Sequence, residues 1–155
     1  MGYRYSTEEI KKKVNFAIGF LRKNDSFLLD NDIGERTISH KLAEYLQTEF
    51  PDWNVDCEYK LKALKNKTLQ DIPECAEQNK MDKVDPAIII HLRNTGENLL
   101  VIEVKKGRRD ECDFKKLEIY TNQTGEYKYG LGLFIQFQQL SHPILIWFKN
   151  GLILF

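Results

Sequence analysis

No stretch of the chain approaches the roughly 20 apolar residues that span a bilayer, and no charged segment leading into an apolar run opens it. Membrane partners are therefore not expected, and a soluble, cytoplasmic protein is. Cysteine is scarce: Cys57, Cys75 and Cys112 are odd in number and too scattered for a CxxC knuckle or a disulfide framework. Free thiols and a reducing compartment follow as expectations. His40, His91 and His142 are too dispersed to argue for zinc or a histidine-driven nucleophile. An excess of one charge is also missing, since 23 Lys and Arg balance 23 Asp and Glu, so no overall basic field advertises nucleic acid. Local clusters do exist, at Lys11 to Lys13, from Lys60 to Lys67 and along KKGRR from Lys105 to Arg109. Internal repeats and low-complexity tracts are absent.

What is present is enough apolar material, 42% of 155 residues, for one sizeable core and a single domain over 1–155. Ser6 with Glu9 three residues on reads as a capping box, and Ile10, Val14, Ala17 and Leu21 keep helical spacing behind it. A first helix is predicted over about 6–23. Asp30, Asn31 and Asp32 halt FLL and predict the cap of a second helix through IGERTISHKLAEYLQTEF, which Pro51 follows. WNVDCEY reads as a strand. A polar segment over about 61–83, poor in large apolar residues, reads as an insertion or mobile loop with room for a short helix at IPECAEQ. PAIIIHL and LLVIEVK then form a hairpin about Asn94 to Glu97, Asp110 or Asp113 caps a third helix, and YGLGLFIQF, PILIWF and LILF close the chain as strands. The glycines of GLGLF alternate within a strand pattern, which points to close backbone packing rather than a phosphate loop. Trp53 and Trp147 are expected in or near the core. The order implies an α/β (α+β) fold, a mixed central sheet flanked by helices.

The chemistry concentrates in NLLVIEVKKGRRD. Period-two alternation puts Leu99, Val101, Glu103 and Lys105 on one face of the strand and Leu100, Ile102 and Val104 on the other. Pairing of the hairpin about Thr95 and Gly96 brings Asp85 to Ile88 opposite Glu103 to Lys106, within a register step. Two carboxylates at adjacent strand ends, Asp85 and Glu103, with the Val104 carbonyl, make a hard oxygen site suited to Mg²⁺ or Mn²⁺. Lys105 beside them suits the activation of a metal-bound water and the stabilisation of charge on phosphorus. Glu35 lies near the Ile38, Leu42 and Leu46 stripe of its helix, where a carboxylate needs a partner such as a metal. The competing reading gives Glu35 a capping role with Asp32, at capping-box spacing.

GERTISHKLAEYL, NVDCEY, VDPAIIIH, LLVIEVKK and DFKKLEIY, in that order, resemble the PD-(D/E)xK nuclease superfamily over about residues 31–137, in particular small prokaryotic members. The resemblance implies a restriction-endonuclease-like core and a metal-dependent nuclease acting on DNA. Its metal-binding acid belongs on the second core strand, its Glu and Lys on the third, and often a Glu on the preceding helix. Carried over, these fall on Glu103, Lys105 and Glu35. The strand-two acid departs from the pattern, because the family's Pro-Asp aligns with Pro86 and Ala87. Asp85, two residues earlier, shares that face about 7 Å away along the strand. Asp85 has taken over the ligand, or the chain is a weakened or inactive relative, or an introduced substitution occupies position 87. As a bare residue before proline, Asp85 also reads as a turn former.

Lys106, Arg108, Arg109 and, a turn beyond Asp113, Lys116 are the expected nucleic-acid contacts, with a solvated helix face as the plainer reading of Lys116. Partners implied are nucleic acid, DNA first, and a homodimer or a larger defence or repair complex. The alternative function is a catalytically inactive nuclease-fold module that binds nucleic acid or a protein.

Overall fold

The capping box at Ser6 forms as its spacing requires. In the computed structural model, which describes residues 4–31, 33–59, 86–139 and 141–155, the Glu9 amide donates to Ser6 Oγ at 3.1 Å and the Ser6 amide to Glu9 Oε1 at 2.9 Å. They start α1 (Thr7–Asn24), whose buried stripe is Ile10, Val14, Ala17, Ile18 and Leu21. A five-residue helix, α2 (Ser26–Asp30), occupies the FLL segment, where the sequence pattern predicts none. Next comes α3 (Glu35–Glu49), with Ile38, Leu42 and Leu46 fully buried as their spacing predicts. Its cap differs from the expectation. Gly34 is the N-cap and contributes no side-chain bond, and Asp32 lies outside the described residues. The expected insertion at 61–83 and Asp85 also fall outside them.

The sheet contains β1 (Asn54–Cys57), β2 (Ile88–His91), β3 (Asn98–Lys106), β4 (Leu131–Phe137), β5 (Ile144–Lys149) and β6 (Leu152–Leu154), adjacent in that order. β3 and β4 run parallel, joined through α4 (Glu111–Thr121), and the other neighbours are antiparallel. This is the mixed sheet flanked by helices that the element order implies. Helices α1 to α3 cover one face through Leu100, Ile102 and Val104; α4 covers the other, with Phe114, Leu117 and Tyr120 against Ile89, Val101 and Phe134. Cover on both faces explains why β3 is apolar without strict alternation until Glu103. Trp53 and Trp147 are buried. Asp56 of β1 accepts from His91 or pairs with it at 2.7 Å and is also held by the Arg93 guanidinium, which fastens the edge strand to β2. The Arg93 hydrogen bond keeps the Asp56 carboxyl below its usual range.

Close packing at the GLGLF glycines is real at Gly132. A Cβ there would stand 2.9 Å from Thr121 Cγ2 and 3.3 Å from both Leu117 Cδ2 and Phe148 Cβ. Thr121 is fully buried and its hydroxyl donates to the Leu117 carbonyl, so it has little room to yield. Gly132→Ala is expected to cost about 1–3 kcal/mol in urea unfolding by pushing α4 off the sheet; stability unchanged from the parent would show that α4 is not seated so closely.

Cys57 is a free thiol, but Cys112 is disulfide-bonded, which corrects the expectation of free cysteines and removes that support for a reducing compartment. Among the described residues no helix is long and apolar enough to cross a membrane.

Candidate functional site

The β2–β3 ladder ends with Ile88 opposite Ile102, and Ala87 immediately precedes β2, at the same end of the sheet as Glu103. On its other side the Ala87 carbonyl accepts from the Glu58 amide at 3.1 Å. Ala87, Glu103, Val104 and Glu35 line one cavity of about 540 Å³, whose rim carries the Arg36–Glu58 ion pair. Three of the positions singled out in sequence, Glu35, Glu103 and Val104, are therefore brought together. The residue that leads into β2 at this cavity, Ala87, brings only a methyl group.

Glu103 is 8% exposed, and its Oε1 has no hydrogen-bond partner. Burial pushes its carboxyl up to about 7, against the pull of Lys116 and Lys105. A buried acid with an open oxygen in a cavity is what a ligand or a proton would satisfy.

Lys105 shares the Glu103 face of β3, as alternation predicts, and that face is covered by α4. Its ammonium forms a salt bridge with Asp113 Oδ2 at 3.0 Å. Burial pulls Lys105 down, but the Asp113 carboxylate, with Glu35 and Asp110 behind it, leaves its pKa above the usual value. Lys116 approaches the other Asp113 oxygen, Oδ1, at 3.9 Å. Asp113, 6% exposed, is thus the hub of a cationic pair, a role its reading as a helix cap misses. The cap is Asp110, which accepts from the Cys112 amide at 2.9 Å. The one clue in sequence is spacing: Asp113 and Lys116 lie a helical turn apart.

Two further assignments change. Glu35 is no capping-box residue; its Oε2 accepts the Lys106 backbone N–H at 2.8 Å, tying the start of α3 to the end of β3. The ammonium of Lys106, expected on a phosphate, donates to the carbonyls of Leu28, Asn31 and Ile33 and holds the α2–α3 connection. Arg108 and Arg109 are exposed, the Arg109 guanidinium 5.1 Å from the centre of the Phe114 ring.

Among the described residues no group of three or more His, Cys, Asp or Glu side chains is gathered so as to hold a metal. Glu103 and Glu35 face a cavity with Ala87 where another oxygen would complete the set. One Glu35 oxygen is already taken by the Lys106 amide and Glu103 is raised to about 7 by burial, so the pair is a poor set of anionic donors for Mg²⁺ as it stands, and no catalytic step follows from it through a metal.

No family model and no curated protein matches the chain. Among solved structures, that of SSO0001 aligns with a TM-score of 0.43 and 14% identity, over 92% of this chain and 62% of that one. The chain thus spans less than two thirds of that protein's length.

Proposed function

We propose that this chain is a nuclease-type domain of the PD-(D/E)xK kind, whose phosphodiesterase centre at the ends of β2 and β3 is one carboxylate short. As it stands it engages nucleic acid with weak or no cleavage. The observation that carries this reading is that Ala87, Glu103, Glu35 and Val104 line one cavity. The resemblance asks for an acid on strand two, Glu and Lys on strand three and a Glu on the helix before them; Glu35, Glu103 and Lys105 stand on α3 and β3 accordingly. Lys105, two residues beyond Glu103 on β3 and paired with Asp113, is the cation that the resemblance assigns to the phosphate.

The test restores the missing group. Calorimetric titration of Mg²⁺ and Mn²⁺, with nicking assays on plasmid and single-stranded DNA, should show little binding and little cutting by the chain itself. Ala87→Asp should gain both. A folded Ala87→Asp protein that neither binds metal nor cuts would remove the nuclease reading. Cutting by the unaltered chain, lost in Asp85→Ala, would instead transfer the ligand role to Asp85.

A further inference from the structure

A second cavity, of about 690 Å³, adjoins the first: Gly34 and Glu35 line both. Its far wall is the end of β4 and the residues after it, where Gln136, Gln138 and Gln139 follow in near succession. Each glutamine is oriented by its own amide nitrogen. Gln136 Nε2 donates to the Gly107 carbonyl at 2.6 Å, Gln138 Nε2 to the His142 carbonyl at 3.3 Å and Gln139 Nε2 to the Asp30 carbonyl at 3.2 Å. A carbonyl accepts only from the NH₂ side, so in each case the side-chain oxygen is turned away from its anchor. Among the described residues nothing donates to these three oxygens.

The charges around the cavity are spent or balanced. Glu35 and Lys106 are its two charged lining residues, the ammonium of Lys106 is taken by three backbone carbonyls, and one Glu35 oxygen accepts the Lys106 amide. A phosphate would find no free cation here, and a cation would find no net negative field. The wall offers acceptors to a neutral, donor-bearing group.

We propose that this cavity reads a nucleobase, the Gln136, Gln138 and Gln139 oxygens accepting from the exocyclic amino group of adenine, cytosine or guanine in a single strand. The proposal rests on the nucleic-acid reading above and adds base preference to it. Its volume falls in the range of small-ligand sites, and its shared wall with the Glu103 cavity places a base next to the backbone that would lie there. Thymine, which has only a ring N–H to donate, is the poorer occupant.

Binding of single-base oligonucleotides by calorimetry, without divalent cation, tests this apart from catalysis. Oligo-dA and oligo-dC should bind roughly tenfold more tightly than oligo-dT. Gln138→Met with Gln139→Met, both at exposed positions, should erase the difference by lowering oligo-dA and oligo-dC affinity toward that of oligo-dT, and Gln136→Met should reduce it. Unchanged circular dichroism and urea unfolding certify the variants' fold. A preference that survives all three substitutions, or equal binding of the three oligonucleotides, overturns the base pocket and leaves the nuclease reading standing. Failure of the chain to bind any of them overturns both.

Discussion

Replacing Glu103 with glutamine should stabilise the protein by about 3 kcal/mol at pH 8 and by almost nothing at pH 4.5. In the folded chain burial raises this carboxyl to about 7 from 4.5, so it keeps its proton over a range in which the unfolded chain has released it. A folded-state pKa raised above the unfolded one contributes stability that is whole below about pH 4.5 and is lost as pH rises through about 7. At about 1.4 kcal/mol per pH unit, the interval amounts to the ~3 kcal/mol stated. Glutamine keeps the shape and carries no titrating proton. Urea unfolding of both chains across this range isolates the effect, because every other titrating group is common to the pair. A difference curve that stays flat would mean that Glu103 is ionised throughout with a partner for its charge.

Why Glu103 should hold a proton is half legible in sequence. Alternation along LLVIEVK puts Glu103 and Lys105 on one face, and the turn at Asn94 to Glu97 brings the strand-two residues opposite them to within a register step. Both depend only on local geometry, period two and hairpin length, which survive into the fold whatever packs around them. The face's cover is not legible. α4 returns across Glu103 because β3 and β4 are parallel and need a crossover, but the amphipathic pattern of DFKKLEIY does not say which strand residues lie beneath Asp113.

Polar partners follow the same rule. Neighbours in sequence offer Asp110 or Asp113 as the cap of α4 and capping as one of two readings of Glu35; Asp110 is the cap, while Asp113 and Glu35 engage β3, at Lys105 and at Lys106. Lys106 sits in a basic run, yet its ammonium is consumed by carbonyls around α2, a helix too short for its periodicity to register. A polar side chain's partner is chosen by tertiary placement, and spacing along the chain reveals it only where the partner lies within one helical turn.

Asp113→Asn tests that placement directly. The substitution keeps the size of the side chain and removes the charge facing two mostly buried ammoniums, at 3.0 Å and 3.9 Å. Loss of one member of such a cluster leaves the others unpaired, and a destabilisation of about 2–4 kcal/mol is expected in urea at neutral pH. Two titrations should move with it. Burial already pulls Lys105 down and Asp113 is the foremost group holding it up, so the Lys105 pKa should fall when followed by NMR at its ε-carbon. Asp113 also raises Glu103, while Lys116 and Lys105 lower it, so the stability loss that Glu103 brings with rising pH should shrink in the Asp113→Asn background. The paired shifts separate this network from a packing defect: a void or a shifted helix would lower stability without moving Lys105 and Glu103 down together. Stability near that of the parent, with both titrations unmoved, would show that Lys105 takes its charge state from elsewhere and that α4 does not order the cation beside the cavity.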